Sequence, residues 1–269
     1  MKYMHDEKAL ERLKDIDCYV LDMDGTFNLG AKLIPKAMDF YNAAIKAGKR
    51  VLFLTNNSSR DGEHYVKKLN NLGCPVTREN IYTSGMATCQ YLCREHSGKS
   101  VYLLGNHHLC QEFRRYGIEL EEDDPDMVVV GFDTTLDYAK LCKVCDFIRE
   151  GRPYIATHPD YNCPTESGFI PDIGAIMALI EASTGRKADL IVGKPYEEVA
   201  RGLMEMTNLP KERIAIVGDR LYTDIATGVN FGILAICVLT GESSMEDVMA
   251  SEVKPDLVFD RLGDIAEYL

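Results

Sequence analysis

The stretch from Asp22 to Thr26, Asp-Met-Asp-Gly-Thr, constrains the fold of this chain most strongly. It follows Cys18–Leu21, a short apolar run typical of a strand buried on both faces of a parallel sheet. Because side chains alternate along a strand, Asp22 and Asp24 are expected to point the same way from its carboxyl end. Open α/β sheets bind their ligands at that edge. The two acids repel each other, so the pattern predicts a compensating divalent cation, for which Mg²⁺ with its oxygen ligands is the natural candidate.

Asp-x-Asp-Gly also occurs in calcium-binding loops and in plain solvated turns. An EF-hand loop needs a further acid at its third ligand position and a Glu at its twelfth residue. Asn28 and then Leu33 or Ile34 occupy that part of the chain, which excludes the calcium loop. The solvated turn stays open as an alternative at this point. Further acidic or phosphate-binding residues at other strand ends would favour the metal site over the turn.

A second apolar run, Val51–Leu54, ends in the polar stretch Thr55–Ser58, which precedes the helical pattern of Arg60–Leu72. A hydroxyl, amides and the unpaired N–H groups of a new helix together favour anion binding. The residues expected to contact phosphate are Thr55, Asn56 and Asn57. Ser58 could simply cap the helix, and this alternative is compatible with the first.

Two later strands carry the remaining candidates. Leu190–Val192 leads to Lys194, which is fixed between Gly193 and Pro195. Ile214–Val217 is a clean parallel-strand pattern that ends in Gly218, and a second acidic pair, Asp219 and Asp224, follows it. In a parallel sheet these side chains would lie at the same edge as Asp22.

Residues 83–187 alternate helical and strand patterns and are long enough for an independent α/β core. We therefore expect a doubly wound parallel-sheet, Rossmann-like core of residues 1–82 and 188–269 with an inserted α/β domain at 83–187. Within the insert, Thr157–Gly174 contains three prolines and two glycines, which indicates an irregular, functional loop. His158 in it is either a buried turn residue or a substrate contact, and Asp160 is a further candidate for selecting the substrate.

Composition narrows the function classes. A hydrophobic fraction of 46% with 27% charged residues is ordinary for a globular protein, and the net charge of −12 argues against a nucleic-acid surface. No run approaches the length of a membrane span, and Met1–Lys14 lacks the apolar core of a signal peptide.

Nine cysteines without a regular framework predict reduced thiols in a cytoplasmic protein. Two cysteine pairs could each coordinate a metal, namely Cys142 with Cys145 and Cys89 with Cys93. Neither pair has a second Cys or His pair at a zinc-like spacing, so small core residues are expected there.

Four strand ends thus carry, in chain order, an Asp pair, a Thr-Asn-Asn-Ser loop, a Lys, and a Gly-Asp with a further Asp five residues on. This ordered set resembles the haloacid dehalogenase superfamily, whose members mostly transfer phosphoryl groups, and the insert is similar to its large α/β cap. Gly218–Ile225, Gly-Asp-Arg-Leu-Tyr-Thr-Asp-Ile, is similar to the NagD and p-nitrophenylphosphatase branch. Two departures stand out: Phe27 and Asn28 replace a more usual aliphatic pair, and Pro171–Gly174 reads Pro-Asp-Ile-Gly where that branch generally has Pro-Gly-x-Gly.

The resemblance implies a Mg²⁺-dependent phosphomonoester hydrolase acting on small phosphorylated metabolites through an aspartyl-phosphate intermediate. It makes Asp22 the nucleophile and Asp24 the general acid and base. Mg²⁺ would be held by the carboxylates of Asp22 and Asp219 and by the backbone carbonyl of Asp24, with Asp224 orienting this shell from behind. The phosphate oxygens would be held by Lys194, Thr55, Asn56 and Asn57.

The same residue types also occur in other classes of protein. A dehalogenase would need neither Asp24 nor Asp219, and a response-regulator receiver is about half as long, with its phosphoacceptor on the third strand. A phosphotransferase or phosphomutase could use the same core, and a catalytically inactive binding protein is improbable with the acids and Lys194 intact. No nucleic-acid or membrane partner is expected, and an exposed cap could form a homodimer contact.

Overall fold

The computed structural model describes residues 7–165 and 168–269. They form two compact units. The first comprises residues up to Thr55, Tyr65–Tyr82 and Leu203–Leu269, and the second comprises Asn56–His64 and Thr83–Gly202. Each unit has its own sheet and its own hydrophobic core.

The secondary structure alternates between strands and helices along most of the described chain. The strands are β1 (Cys18–Leu21), β2 (Asn28–Leu29), β3 (Lys32–Leu33), β4 (Arg50–Thr55), β5 (Ile81–Thr83), β6 (Val101–Leu104), β7 (Met127–Val130), β8 (Tyr154–Ala156), β9 (Asn162–Thr165), β10 (Gly168–Pro171), β11 (Leu190–Ile191), β12 (Ile214–Gly218), β13 (Leu234–Val238) and β14 (Leu257–Phe259). The α-helices are α1 (Glu7–Arg12), α2 (Ala37–Lys46), α3 (Gly62–Asn71), α4 (Ser84–Glu95), α5 (His107–Arg115), α6 (Tyr138–Arg149), α7 (Ile173–Thr184), α8 (Glu197–Thr207), α9 (Ala226–Phe231) and α10 (Met245–Ala250). Short 3₁₀ turns lie at Leu13–Asp15, Arg78–Asn80, Lys211–Arg213 and Leu262–Tyr268, and a π-helical turn covers Leu221–Ile225.

The first unit is built on a six-stranded sheet in the order β14-β13-β12-β1-β4-β5. The pairings from β14 through β4 are parallel. Every residue of β1, β12 and β13 is buried, as expected for strands covered on both faces. In the register of the two central strands Leu21 lies opposite Val217, so the residues that follow β1 and β12 leave the sheet side by side.

The second unit contains a four-stranded parallel sheet in the order β11-β8-β7-β6. Helices α6 and α7 pack apolar side chains such as Val144, Ile148 and Ile176 into the same core as strand residues such as Val128 and Tyr154. A separate antiparallel hairpin pairs β9 with β10, and its residues are mostly exposed.

The predicted α/β class with parallel sheets is confirmed. The apolar runs at 18–21, 101–104, 127–130, 154–156, 234–238 and 257–259 are strands with those bounds. The division into 1–82 with 188–269 and an insert at 83–187 stays a prediction.

Two local expectations were wrong. The segment 157–174 is not irregular throughout, because it contains the β9–β10 hairpin, although residues 166–167 lie outside the described chain. Exposed strands give no apolar periodicity, so the sequence pattern could not show them. The strand before Lys194 does not belong to the sheet of Asp22 either: β11 pairs with β8 in the four-stranded sheet of the second unit, so Lys194 follows a strand of that sheet. As for the alternative in which Ser58 caps the following helix, it is Asp61 whose Oδ1 accepts from the N–H of His64, at 3.1 Å.

Within the described residues, no helix is both long and apolar enough to cross a membrane. All nine cysteines are free thiols, and those at 18, 74, 89, 145 and 237 are buried. The cysteine pairs considered as metal clamps belong to neither of the two ligand clusters found in the described part of the chain.

Candidate active site

Three carboxylates of the first unit converge at the carboxyl ends of β1 and β12. The backbone N–H of Asp22 donates to the carbonyl of Val217 at 2.9 Å, which continues the β1–β12 ladder to the point where both strands stop. Asp219 then follows β12 directly, and the π-helical turn after it brings Asp224 back toward the same place. One carboxylate oxygen from each of Asp22, Asp219 and Asp224 lies within 4.8 Å of the others.

Asp219 is held by several neighbours of the first unit. The N–H of Glu242 donates to its Oδ2 at 2.7 Å, and the hydroxyl of Thr26 donates to its Oδ1 at 3.3 Å. A Cβ added at Gly241 would come 1.9 Å from Oδ2, and one added at Gly25, whose φ is +98°, would come 2.4 Å from it. The loop after β13 and the turn after β1 can therefore enclose this carboxylate only because both positions are glycine.

The cluster carries excess negative charge. Burial, and next the charge of Asp224, raise the pKa of Asp219 to about 6, although the N–H of Glu242 and the charge of Arg220 act in the opposite direction. Burial of the Arg220 guanidinium lowers its pKa, but nearby acids, Asp22 foremost, outweigh this effect and raise it overall. Arg220 also forms an ion pair with Glu242, with 3.0 Å between Arg220 Nε and Glu242 Oε2. One guanidinium thus offsets part of the charge of the three acids.

The Asp24 carboxylate is not part of this cluster. Its Oδ1 accepts from Asn28 Nδ2 at 2.8 Å and from the N–H of Gly30 at 3.3 Å. Lys68 Nζ, from α3, reaches Oδ1 at 3.2 Å and Oδ2 at 3.3 Å. Asn28, noted above as a departure from the usual aliphatic residue, is therefore a direct hydrogen-bond donor to Asp24.

Lys194 and Asn56 meet in the second unit. Asn56 Oδ1 accepts from the N–H of Lys194 at 2.8 Å, and its Nδ2 donates to the carbonyl of Lys194 at 3.1 Å. The same Nδ2 donates to the carboxylate oxygens of Asp160 at 3.2 and 3.3 Å. The Oδ1 of Asn57 accepts from the N–H and the hydroxyl of Ser59, and its Nδ2 donates to Cys163 Sγ at 3.6 Å. Thr55 is the half-buried last residue of β4.

His158 is a buried residue with both ring nitrogens engaged. Nε2 lies 3.0 Å from Asp172 Oδ1, and Nδ1 lies 3.0 Å from Thr157 Oγ1 and 3.4 Å from Ser84 Oγ. Because a carboxylate only accepts, Nε2 is the donor to Asp172. Of the two alternatives kept open for His158, the structure therefore supports the buried one. Asp172 has an extended backbone with φ −111° and accepts from the N–H of Ile173, so no glycine is needed at this position of the Pro-Asp-Ile-Gly stretch.

Several residues of these environments were not singled out from the sequence. They are Thr26, Lys68, Asp172, Arg220, Gly241 and Glu242. Gly241 and Glu242 follow the buried strand β13, so the rule that found the other candidates, polar or glycine residues just after a buried strand, could have found them. Lys68 gave no such signal, because a lysine on the polar face of a helix is ordinary.

Comparison with known proteins agrees with this geometry. Residues 19–119 match a family model described as haloacid dehalogenase-like hydrolase, and residues 191–265 match one described as HAD-hydrolase-like. An acid sugar phosphatase of Staphylococcus aureus (strain MRSA252) is 35% identical over 257 residues, which cover 95% of this chain and 99% of that protein.

Solved structures agree as well. The structure of a 4-nitrophenylphosphatase from Thermotoga maritima is 48% identical with a TM-score of 0.93, covering 95% of this chain and 98% of that one. A putative NagD protein is 44% identical with a TM-score of 0.89, covering 94% and 98%. The chain therefore belongs to the haloacid dehalogenase-like hydrolases, in the NagD and p-nitrophenylphosphatase branch, and is an enzyme of the phosphatase class.

Proposed function

We propose that this protein is a Mg²⁺-dependent phosphomonoester hydrolase that acts on small phosphorylated metabolites through an aspartyl-phosphate intermediate. The observation that carries the proposal is the convergence of Asp22, Asp219 and Asp224 within 4.8 Å at the ends of two adjacent parallel strands. Two of these acids are almost fully buried, which is costly for carboxylates without a compensating cation.

The donor set fits a hard divalent cation. Mg²⁺ takes oxygen ligands, and the cluster offers only carboxylate oxygens. Asp22 and Asp219, with the backbone carbonyl of Asp24, are the proposed ligands, and Asp224 would orient them. Bound there, Mg²⁺ would supply charge neutralisation between the nucleophile and the phosphate dianion.

The chain's own groups perform the bond changes in this proposal. A carboxylate oxygen of Asp22 attacks phosphorus, the ester P–O bond breaks, and Asp24 gives its proton to the leaving alcohol. Water then attacks the phosphorus of the aspartyl phosphate while Asp24 takes a proton from it, and this regenerates Asp22 and releases inorganic phosphate. Lys194, with Thr55, Asn57 and the backbone N–H of Asn56, is proposed to hold the phosphoryl oxygens.

The substrate class rests on the relatives. One of them is named an acid sugar phosphatase and another a 4-nitrophenylphosphatase, so sugar phosphates are the first metabolites to screen. We propose that the insert at 83–187 acts as the cap over the substrate and could also form a homodimer contact. A cytoplasmic location is part of the proposal and is supported by the nine free thiols.

Replacing the nucleophile tests the mechanism. Asp22→Asn keeps the size of the side chain but removes the attacking charge, so Mg²⁺-dependent release of phosphate from p-nitrophenyl phosphate should fall by about 10⁴-fold or more. Asp39→Asn, an exposed change on α2, is the matched control and should leave the rate unchanged. EDTA should abolish the wild-type activity, and excess Mg²⁺ should restore it. Full activity of Asp22→Asn would exclude this residue as the nucleophile.

A further inference from the structure

The carboxamide of Asn56 has no capacity left for a phosphate oxygen. A primary amide offers two N–H donors and one carbonyl oxygen. One donor faces the Asp160 carboxylate, the other faces the backbone carbonyl of Lys194, and the oxygen accepts from the backbone N–H of Lys194. The residue is also buried, with an exposed fraction of 5%. Any contact of this residue with phosphate is therefore left to its backbone N–H.

Two of these bonds fix a single residue. By holding both the N–H and the C=O of Lys194, Asn56 sets the orientation of the two peptide planes on either side of the Lys194 Cα, and with them the direction in which the side chain leaves the backbone. Lys194 itself is 2% exposed. The Asn56 side chain therefore orients another residue of the second unit, Lys194.

The approach of Asn56 to this backbone also depends on Gly193. A Cβ added there would come 2.7 Å from Asn56 Oδ1 and 2.8 Å from both the His158 Cβ and the Thr157 carbonyl oxygen. These contacts are closer than side chains tolerate, so the glycine before Lys194 is what lets the amide reach the Lys194 N–H.

Asn56 is in turn anchored by the buried polar groups around His158. The hydroxyl of Ser84 donates to the backbone carbonyl of Asn56 and lies 3.4 Å from His158 Nδ1. His158 is bonded to Asp172, as described above, and all three of these residues are at most 3% exposed. A satisfied network of this kind restricts its members to one arrangement.

We propose that Asn56 is a positioning residue that aims Lys194 at the phosphoryl group, rather than a phosphate ligand through its side chain. This inference rests on the proposed function, in which Lys194 contacts the phosphoryl oxygens. Small displacements of a group that must meet developing charge are costly, with losses of about 10²-fold for about 1 Å. Loss of the Asn56 amide should therefore reduce catalysis through Lys194.

A double-mutant cycle separates the two roles. We would measure kcat and KM for p-nitrophenyl phosphate with Mg²⁺ in the wild-type protein, Asn56→Ala, Lys194→Met and the double variant. Asn56→Ala is expected to lower kcat/KM by about 10- to 100-fold, and Lys194→Met by about 10²- to 10³-fold. If Asn56 acts through Lys194, the double variant should match Lys194→Met within about threefold, because the second change has nothing further to disturb. Losses that multiply would show that Asn56 acts on the phosphate independently, and would overturn the inference.

Asn106→Ala is the matched control. Asn106 is another buried asparagine of the second unit, 3% exposed, that donates to the Ser59 carbonyl at 2.9 Å and to Thr134 Oγ1 at 3.0 Å and accepts from the N–H groups of His108 and Leu109. Its loss should lower the melting temperature about as much as the loss of Asn56, yet leave kcat/KM within about twofold of wild type. An equal loss of activity in both variants would overturn the inference.

Two further outcomes are distinguishable. If Asn56→Ala does not fold, Asn56→Leu replaces it: this change keeps the approximate size and adds no charge but removes the donors and the acceptor of the amide, so the same dependence on Lys194 is expected. A wild-type protein without Mg²⁺-dependent phosphatase activity would refute the proposed function itself, whereas an active wild type with multiplying losses would refute only the role of Asn56.

Discussion

The carboxylate of Asp219 is closely enclosed, because Gly25 and Gly241 leave room for it and for no side chain of their own. The N–H after Gly241 donates to Asp219 Oδ2, so the loop that follows β13 sets the direction of a proposed metal ligand. Groups that orient a metal ligand typically change metal affinity by about 10- to 100-fold when they are lost.

Gly241→Ala should therefore weaken Mg²⁺ binding by about 10- to 100-fold, since a Cβ at 1.9 Å from Oδ2 must displace the carboxylate. The Mg²⁺ concentration for half-maximal activity, and the Mg²⁺-induced rise in melting temperature, would report this change. Gly48→Ala is the control: its φ of +72° brings a strain of about 1 kcal/mol, but nothing lies within 4 Å of the added atom, so only stability should change. Equal Mg²⁺ affinity in both variants would contradict the steric argument.

Among the helices, α3 contributes a side chain to Asp24 from a distant part of the chain. Lys68 lies in its last turn and pairs with both oxygens of Asp24, while Asn28 and Gly30 hold Oδ1 from the neighbouring turn. The pair is partly solvated, with the side chains of Lys68 and Asp24 exposed by 22% and 44%. Such pairs contribute about 1 kcal/mol or less.

Lys68→Met should accordingly lower kcat/KM by about fivefold or less, because Asn28 and Gly30 still hold Asp24. Lys68→Arg should recover most of the loss by restoring the charge. Lys67→Met, an exposed change at the preceding position of α3, should have no effect on the steady-state rates. A drop of a hundredfold for Lys68→Met, or the same small change in both methionine variants, would contradict this assignment.

Across the whole molecule, some cysteine thiols are buried and others are exposed to solvent. Burial raises the pKa values of Cys18, Cys74 and Cys237 to about 12 each, so these thiols stay protonated near neutrality. Cys93 and Cys142 are exposed. The thiolate is the reactive form, and both its fraction and its access govern alkylation.

Brief treatment with iodoacetamide at pH 8 should therefore label Cys93 and Cys142 in the native protein, whereas Cys18, Cys74 and Cys237 should react only after unfolding in denaturant. Peptide mass spectrometry resolves the five sites. Rapid native labelling of Cys18 or Cys237, which lie inside the parallel sheet of the first unit, would contradict the burial of β1 and β13.

Much of the fold was predictable because buried parallel strands leave a strong local signal. Runs such as Cys18–Leu21 and Leu257–Phe259 are apolar throughout and are followed directly by Asp22 and Asp260, so their bounds could be taken from the sequence. The exposed β9–β10 hairpin was missed because neither of its strands has a buried face to impose alternation. The ends of α3, Gly62–Asn71, differ by one or two residues from the predicted Arg60–Leu72, since the capping side chain, Asp61, depends on the local backbone.

The sequence by itself determined which side chains follow the buried strands, and therefore that Asp22, Asp219 and Asp224 were candidates for one edge of the sheet. Only the tertiary structure decided which groups hold the candidate residues: Lys68 and Asn28 at Asp24, the Glu242 N–H at Asp219, and the Asn56 amide at the Lys194 backbone. The physical reason is the separation along the chain between the residues that interact. A burial pattern can be recognised in a few consecutive residues. A hydrogen bond between residues 56 and 194 depends on how the whole chain between them folds, so no local pattern predicts it.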